Sequence, residues 1–221
     1  MSTLYGARQR TFQDRFDTRR IADKIEAVAV HAEVTDMDKA FIESRDMFWL
    51  SSVDAQGSPT VSYKGGDPGF VKVVDGKTIA FPLYDGNGMF FSAGNVAGNG
   101  KVGLLFMDFE RPNRLRVQGT ATISETDPLM KSFHEAVMVI RVTVSAIFPN
   151  CPRYVHRMQK VKGSKYVPRP QCATPIAGWK NIDLLQGDLP AKDQERARKE
   201  GAKPISIEEW FAKVAEGSEE A

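Results

Sequence analysis

Ser62 and Lys64 stand two residues apart in a run that is typical of a β-strand, and Gly65 follows them directly. On a strand, residues i and i+2 face the same side, so the hydroxyl and the ammonium group would lie next to each other. Such a lysine can neutralise a phosphate as a point charge or lie beside an electron-rich ring, and a glycine lets the backbone pass close to a ligand. A solvated lysine at the end of an edge strand is the common alternative.

A second polar group, Asn87, Ser92 and Asn95, surrounds the predicted start of a short helix within residues 85–100. The first backbone N–H groups of a helix are unpaired and lie at its positive end, so a phosphate can bind there with hydroxyl and amide donors added. Taken alone, these residues are explained better by a plain loop with a polar cap. Neither GxxxxGK[ST] nor a complete GxGxxG occurs in this segment.

Arginines are clustered in the sequence ERPNRLRVQG, where Arg114 and Arg116 would share one face of a strand while Leu115 and Val117 point to the other. The two arginines could form a rim that grips an anion. They could equally be the solvent face of a half-exposed strand, and the sequence does not decide between these readings.

A thiol, two arginines and a histidine occur within residues 150–157. Cys151 and His156 could serve as nucleophile and base only if the fold brought them together, so polar contacts of Arg153 and His156 to a ligand or partner are the favoured interpretation. Trp179 follows a proline-rich loop and could lie across a flat cofactor, although an aromatic anchor for the chain is the commoner use.

The elements that must position these residues are predicted from apolar spacing. Residues 8–33 have helical spacing with a break near Asp17, and Thr35 is a predicted N-cap for a second helix that ends near Arg45. Short apolar runs separated by Gly, Pro, Asn or Asp turns predict an antiparallel barrel or sandwich. The strand candidates are 47–53, 60–64, 70–74, 78–82, 102–107, 114–123 and 137–146.

The composition of the chain argues against several classes of protein. The chain has 221 residues and a formal charge of +2, which does not favour a nucleic-acid-binding or membrane-surface protein. No secretory signal and no apolar run of membrane-spanning length is found, so the cytoplasm is the expected location. Two cysteines and three histidines predict reduced thiols and no metal site.

Five segments in order resemble the pyridoxamine 5′-phosphate oxidase-like family of FMN-binding split barrels, and within it a subgroup of uncharacterised FMN-binding relatives: SYKGGDPGF, AFPLYDGNGMFFSAGN, VGLLFMDF, RLRVQGTA and IFPNCPRYVHRM. The resemblance implies a mainly β (α+β) fold, a six-stranded antiparallel split β-barrel with Greek-key topology and flanking helices, which forms a homodimer. It predicts a helical extension over residues 1–46, an FMN-binding split barrel over 47–158 and a loop-rich C-terminal extension over 159–221.

The same resemblance implies positions for the FMN phosphate and ribityl chain: Ser62, Lys64, Gly65, Phe81, Pro82, Asn87, Ser92 and Asn95. It implies that Arg114 reaches the cofactor from the partner subunit and that Trp179 lies near the flavin. The chain departs from the true oxidase at Pro59, where the oxidase has Arg, and at Phe90-Phe91-Ser92, where the oxidase has Ser-Arg-Lys. It also lacks a terminal Arg-x-His motif, so oxidation of pyridoxamine phosphate itself is not expected.

The predicted function is that of an FMN-dependent oxidoreductase acting on a small molecule by hydride or electron transfer, with Arg153 and Tyr154 on the substrate side. Three alternatives stay open. The same barrel could bind flavin, deazaflavin or haem as a sensor or carrier, it could be an empty barrel kept for dimer contacts, or Cys151 and His156 could form a hydrolase.

Overall fold

The computed structural model describes residue 2 and residues 4–219, and the chain forms two units, Met1–Lys162 and Gly163–Ala221. The first unit contains the sheet and the helices that flank it, and the second contains two further helices joined by loops. The boundaries predicted at residues 46 and 158 stay predictions.

Three helices precede the sheet: α1 (Ala7–Arg15), α2 (Arg19–Ala29) and α3 (Asp36–Glu43). Asp17, with φ 50°, separates α1 from α2 at the predicted break. Thr35 caps α3, because its Oγ1 accepts from the Asp38 N–H at 3.2 Å while the Asp38 carboxylate accepts from the Thr35 N–H at 2.9 Å. This capping box pairs donors that a helix end otherwise leaves unpaired.

A single antiparallel sheet of seven strands follows, in the order β2-β1-β5-β6-β7-β4-β3. The predicted mainly β, antiparallel fold class is confirmed, and each candidate strand of the sequence corresponds to a strand. The sheet has one strand more than the six implied by the resemblance, and it includes a short edge strand, β3, that pairs with β4. The strands are β1 (Met47–Val53), β2 (Pro59–Gly65), β3 (Lys72–Asp75), β4 (Thr78–Leu83), β5 (Lys101–Asp108), β6 (Asn113–Ser124) and β7 (Met138–Asn150).

Alternating side chains of these strands form the core. In β1, Phe48 and Leu50 are fully buried while their neighbours are only partly covered. The Phe48 ring lies 4.9 Å from the Phe81 ring in an edge-on arrangement and 5.0 Å from the Phe106 ring. Burying one such ring contributes roughly 1.5–3 kcal/mol, so this aromatic cluster is a major source of stability for the sheet.

Helix α4 (Phe91–Gly98) lies between β4 and β5 in the chain and packs against β1, β2 and β6. Gly88 has φ 76°, and Phe90, the residue before the helix, has φ 51°. A bulky residue in this left-handed region is strained, and such strain persists only where the surrounding structure enforces it. Strand β2 has β1 on one side and no strand on the other, so α4 and β2 meet at one edge of the sheet.

The second unit contains α5 (Ala191–Lys199) and α6 (Ile207–Ala215). Ser206 caps α6, within the stretch predicted to be amphipathic, whereas α5 was not predicted. Lys180 Nζ and Asp193 Oδ2 form a buried ion pair at 3.0 Å in this unit. Within residue 2 and residues 4–219, no helix combines the length and the apolar character needed to cross a bilayer.

Candidate functional site

The two polar segments singled out in the sequence meet in the fold. Ser62 Oγ and Ser92 Oγ lie 3.0 Å apart, and Lys64 Nζ donates a hydrogen bond to Ser92 Oγ at 3.2 Å. Ser92 is only 5% exposed. Side chains from β2 and from the first turn of α4 therefore form one hydroxyl-and-ammonium cluster, although some thirty residues separate them in the chain.

The alternation of side chains along β2 places this cluster on the core face of the sheet. Ser62 is the cross-strand partner of Leu50, and Lys64 is the partner of Phe48, so both polar side chains lie on the face of the sheet that carries the core. Val61, the residue before Ser62, points to the outer face and is 67% exposed. Because β2 is an edge strand, its inward-facing residues lie at the margin of the core, where a ligand can reach them.

The cluster lines a cavity of about 560 Å³, which lies within the usual range of small-molecule sites. Pro82 and Gly65, for which the resemblance implies contact with the cofactor, also line it. Asn87 lies on the loop that forms one wall, where its Oδ1 accepts from the Met89 N–H at 3.1 Å. The further lining residues are Thr60, Val61, Tyr63, Phe70, Leu83, Tyr84, Asp85, Gly86, Gly88, Met89, Phe90, Phe91 and Ala93.

The groups around Lys64 favour an anion, while the lining of the cavity also includes the carboxylate of Asp85. Burial lowers the pKa of the Lys64 ammonium, which means that its positive charge is incompletely solvated and would gain from a negative partner. Helix α4 has no side-chain hydrogen bond at its N-terminus, so its first N–H groups lack that form of capping. Burial, and secondarily the charge of Asp67, raises the pKa of the Tyr84 hydroxyl, which therefore stays protonated.

Phe81 and Asn95 are among the predicted cofactor residues that do not line this cavity. The Phe81 side chain is 0% exposed within the aromatic core. Asn95 is 8% exposed, and its Nδ2 donates to Ser52 Oγ at 3.0 Å and to Thr60 Oγ1 at 3.2 Å. The side chains of Phe81 and Asn95 are thus engaged inside the protein, and their direct contact with a cofactor stays a prediction.

In β6, the strand that carries Arg114 and Arg116, the side chains alternate between the two faces as predicted, with Leu115 and Val117 buried in the core. Arg114 and Arg116 therefore share the outer face of the sheet, opposite to the face that carries Lys64. There they line a second cavity of about 450 Å³, whose apolar lining includes Trp49. Arg114 Nε is buried without a hydrogen-bond partner.

The segment that follows β7 in the first unit contains Cys151, Arg153, Tyr154 and His156, none of which lines either cavity. Tyr154 is 88% exposed, and the Arg153 guanidinium lies 5.9 Å from the centre of its ring. Cys151 is exposed, and within the described part of the chain no hydrogen bond joins it to His156, so nothing in the structure supports a thiol hydrolase. Trp179 belongs to the second unit, where its ring lies 5.7 Å from Lys180 Nζ, and its contact with a flavin stays a prediction.

The sequence interpretation missed most of the apolar side chains of the cavity, including Tyr84, Met89, Phe90 and Phe91. They follow Pro82 along the loop that leads to α4. An available signal was the concentration of aromatic residues around the turn Asp85-Gly86-Asn87-Gly88, where a loop would ordinarily be polar.

The family model described as pyridoxamine 5′-phosphate oxidase matches residues 34–151, which is more than half of the chain. The chain therefore belongs to this family, which confirms the resemblance seen in its motifs. No curated protein matches the sequence at a significant level.

Among solved structures, HupZ from Group A Streptococcus is 23% identical with a TM-score of 0.44, over 57% of this chain and 99% of its own. HutZ, the heme storage protein from Vibrio cholerae, is 20% identical with a TM-score of 0.39, over 52% of this chain and 93% of its own. An FMN-binding protein from Syntrophomonas wolfei is 12% identical with a TM-score of 0.41, over 66% of this chain and 98% of its own.

Proposed function

We propose that this protein is an FMN-dependent oxidoreductase that acts on a small molecule, with the flavin bound in a groove between the two subunits of a homodimer. The observation that carries the proposal is the convergence of Ser62, Lys64 and Ser92 at the N-terminus of α4, inside a cavity of about 560 Å³. This donor set fits a phosphate group, since it combines one cation, two hydroxyls and a helix N-terminus.

In this proposal Lys64 and the two serines hold the phosphate, and Gly65 and Pro82 form part of the adjoining wall. The flavin, when bound, supplies the hydride or electron transfer. The chain supplies position and shielding: Met89, Phe90 and Phe91 are each more than half exposed along the cavity, so they offer apolar surface that would exclude water from a bound ring.

The second subunit is part of the proposal because one chain offers too little positive charge. A phosphate monoester carries roughly −1.5 to −2 at neutral pH, whereas Lys64 is the sole cationic side chain among the described residues that line the first cavity. Arg114 lies on the opposite face of the same sheet and is not among the residues that line this cavity. A partner whose outer face docks against the cavity would bring its own copy of Arg114 to the site.

Subunit mixing tests this arrangement. Lys64→Met and Arg114→Ala homodimers should each bind FMN weakly, because each lacks one of the two cations at both sites. In a mixed dimer, one site loses both cations and the other keeps both, so half of its sites should regain wild-type FMN affinity. Mixed dimers in which no site recovers would refute the sharing of the site between subunits.

A non-catalytic flavin, deazaflavin or haem carrier on the same barrel is the second candidate. It is favoured by the positions of Arg153 and Tyr154, because these predicted substrate-side residues do not line the cavity. Of these three ligands, haem has the least support from the structure, because its iron would need an axial ligand such as histidine. None of His31, His134 and His156, all within the described residues, lines either cavity. The proposed location is the cytoplasm. Pyridoxamine phosphate is not the proposed substrate, because the chain differs from the true oxidase at Pro59 and at Phe90-Phe91.

The visible absorption spectrum of the purified protein, followed by reduction and reoxidation of the bound cofactor, tests the function. A flavin spectrum, with reoxidation that is accelerated by a small-molecule acceptor, would support the oxidoreductase. A flavin that is retained but not reoxidised faster by any acceptor would favour the carrier. A colourless protein that ignores added FMN would refute both.

A further inference from the structure

A buried hydrogen-bonded triangle joins α4 to the first hairpin. Asn95 Nδ2 donates to Ser52 Oγ at 3.0 Å and to Thr60 Oγ1 at 3.2 Å, and the two hydroxyl oxygens lie 3.1 Å apart. Ser52 is 1% exposed, and neither Ser52 nor Asn95 lines the cavity. Both amide hydrogens of Asn95 are therefore used inside the protein, where a buried polar group requires partners.

This triangle lies next to the hydroxyl-and-ammonium cluster. Asn95 follows Ser92 by three residues on α4, so the two side chains share one face of the helix. Thr60 precedes Ser62 by two residues on β2, so these two side chains share one face of the strand. Helix and strand are thus joined by two adjacent contacts, an inner one that is buried and an outer one that faces the cavity.

Apolar packing of Val96 in the core also holds α4, and the triangle adds directional hydrogen bonds between the helix and the hairpin. Helix α4 has only eight residues, and it begins after Phe90 without a side-chain cap. Strand β2 pairs with β1 alone. Since Ser52 and Thr60 are direct cross-strand partners, Asn95 ties the helix to both strands of the hairpin at once.

We propose that Asn95 is a positioning residue, which fixes the N-terminus of α4 against β2 so that Ser92, Ser62 and Lys64 meet an anionic group together. This inference rests on the proposed phosphate site and gives Asn95 an indirect role in place of a direct contact. A misplacement of about 1 Å can cost roughly a hundredfold in a positioned site. Loss of the triangle should therefore weaken FMN by about tenfold or more and leave riboflavin, which lacks the phosphate, nearly unchanged.

Two variants break the triangle and one leaves it intact. Asn95→Ala removes both donated hydrogen bonds, and Ser52→Ala removes one of them at a residue that lines neither cavity. The control, Asn99→Ser, changes an exposed asparagine at the end of α4 that also lines neither cavity. Fluorescence titrations with FMN and with riboflavin give the ratio of the two dissociation constants. We expect the preference for FMN to fall about tenfold or more in the two alanine variants and to be unchanged in Asn99→Ser. Alanine variants with a lower melting temperature but an unchanged ratio would overturn the inference.

A second measurement needs no flavin. The rate at which acetic anhydride acetylates Lys64, followed by mass spectrometry across pH, reports the pKa of its amine, while Tyr63, Tyr84 and Asp85, the other titratable side chains of the lining, are kept. If α4 moves away from β2, water reaches the ammonium group and the pKa rises toward its ordinary value.

The two measurements separate the inference from the proposed function. A rise of the Lys64 pKa in both alanine variants, in a protein that does not prefer FMN to riboflavin, would support the positioning role and refute the phosphate site. An unchanged pKa together with an unchanged ratio would overturn the positioning role while leaving the phosphate site in place.

Discussion

Replacement of Lys64 by Met is the sharpest test of the phosphate site. Met retains most of the apolar stem and removes the ammonium group, whose Nζ lies 3.2 Å from Ser92 Oγ on the wall of the cavity. A hydrogen bond to a charged group contributes roughly 1.5–3 kcal/mol, and 1.4 kcal/mol corresponds to a factor of ten. The affinity for FMN should therefore fall by about tenfold to a hundredfold.

The fold should survive this change. Burial lowers the pKa of Lys64, so its charge is held at some cost to the folded state, and an uncharged side chain of similar shape removes that cost. We expect the melting temperature of the ligand-free Lys64→Met protein to equal or exceed that of the wild type. A loss of FMN affinity in this variant would then reflect the missing charge.

The assay is a titration of FMN and of riboflavin by flavin fluorescence, with Lys101→Met as the matched control. Lys101 is exposed at the start of β5 and lines neither cavity, so its removal changes the net charge equally without touching the site. Equal FMN affinity in Lys64→Met and wild type would refute the phosphate site. An equal loss for FMN and riboflavin would place Lys64 beside the ring instead of the phosphate.

Three further outcomes are expected. The FMN affinity should fall as pH rises through the lowered pKa of Lys64, and the affinity of Lys64→Met should not change over the same pH range. The free energy of unfolding of the ligand-free protein should instead rise with pH between the lowered pKa of Lys64 and its ordinary pKa of 10.5, because the unfolded chain binds more protons there. Thr35→Ala should cost about 1 kcal/mol in urea denaturation, and Thr35→Ser should restore it, because the capping hydroxyl returns. Phe48→Ala should cost roughly 3–5 kcal/mol by the same measurement, and a loss below 1 kcal/mol would contradict the central place of its ring in the core.

Residues on β2 could be placed from the sequence because a half-buried strand has a period of two. The spacing of Ser62 and Lys64 fixed a common side, and the fold adds that Ser92 faces them across the edge of the sheet. The same logic separated Arg114 and Arg116 from Leu115 and Val117. What the alternation could not provide was the identity of each face, since that depends on which strands pair.

Phe81 and Asn95 show where the sequence argument ends. Four consecutive residues of β4, Ile79 to Pro82, are buried, so the period of two disappears and nothing in the pattern distinguishes a core ring from a ligand contact. Asn95 finds its hydrogen-bond partners in Ser52 and Thr60, which precede it by more than thirty residues. A helical pattern predicts that Ser92 and Asn95 share a face, but tertiary packing decides which of them is open to a ligand.

In the proposed homodimer, the edge strand β2 would link the cofactor site to subunit association. Val61 lines both cavities, the inner one with Lys64 and the outer one with Arg114, so the two cavities adjoin around the unpaired edge of this strand. The inner cavity supplies a cation and hydroxyls, whereas the outer one supplies guanidinium groups beside apolar side chains such as Trp49 and Met107. Exposed apolar surface of this kind, rimmed by charge, is typical of a surface that a partner covers. Because both cavities end at the same strand, a second copy that covered the outer face would also close the entrance to the inner one, and cofactor binding and subunit association would be coupled.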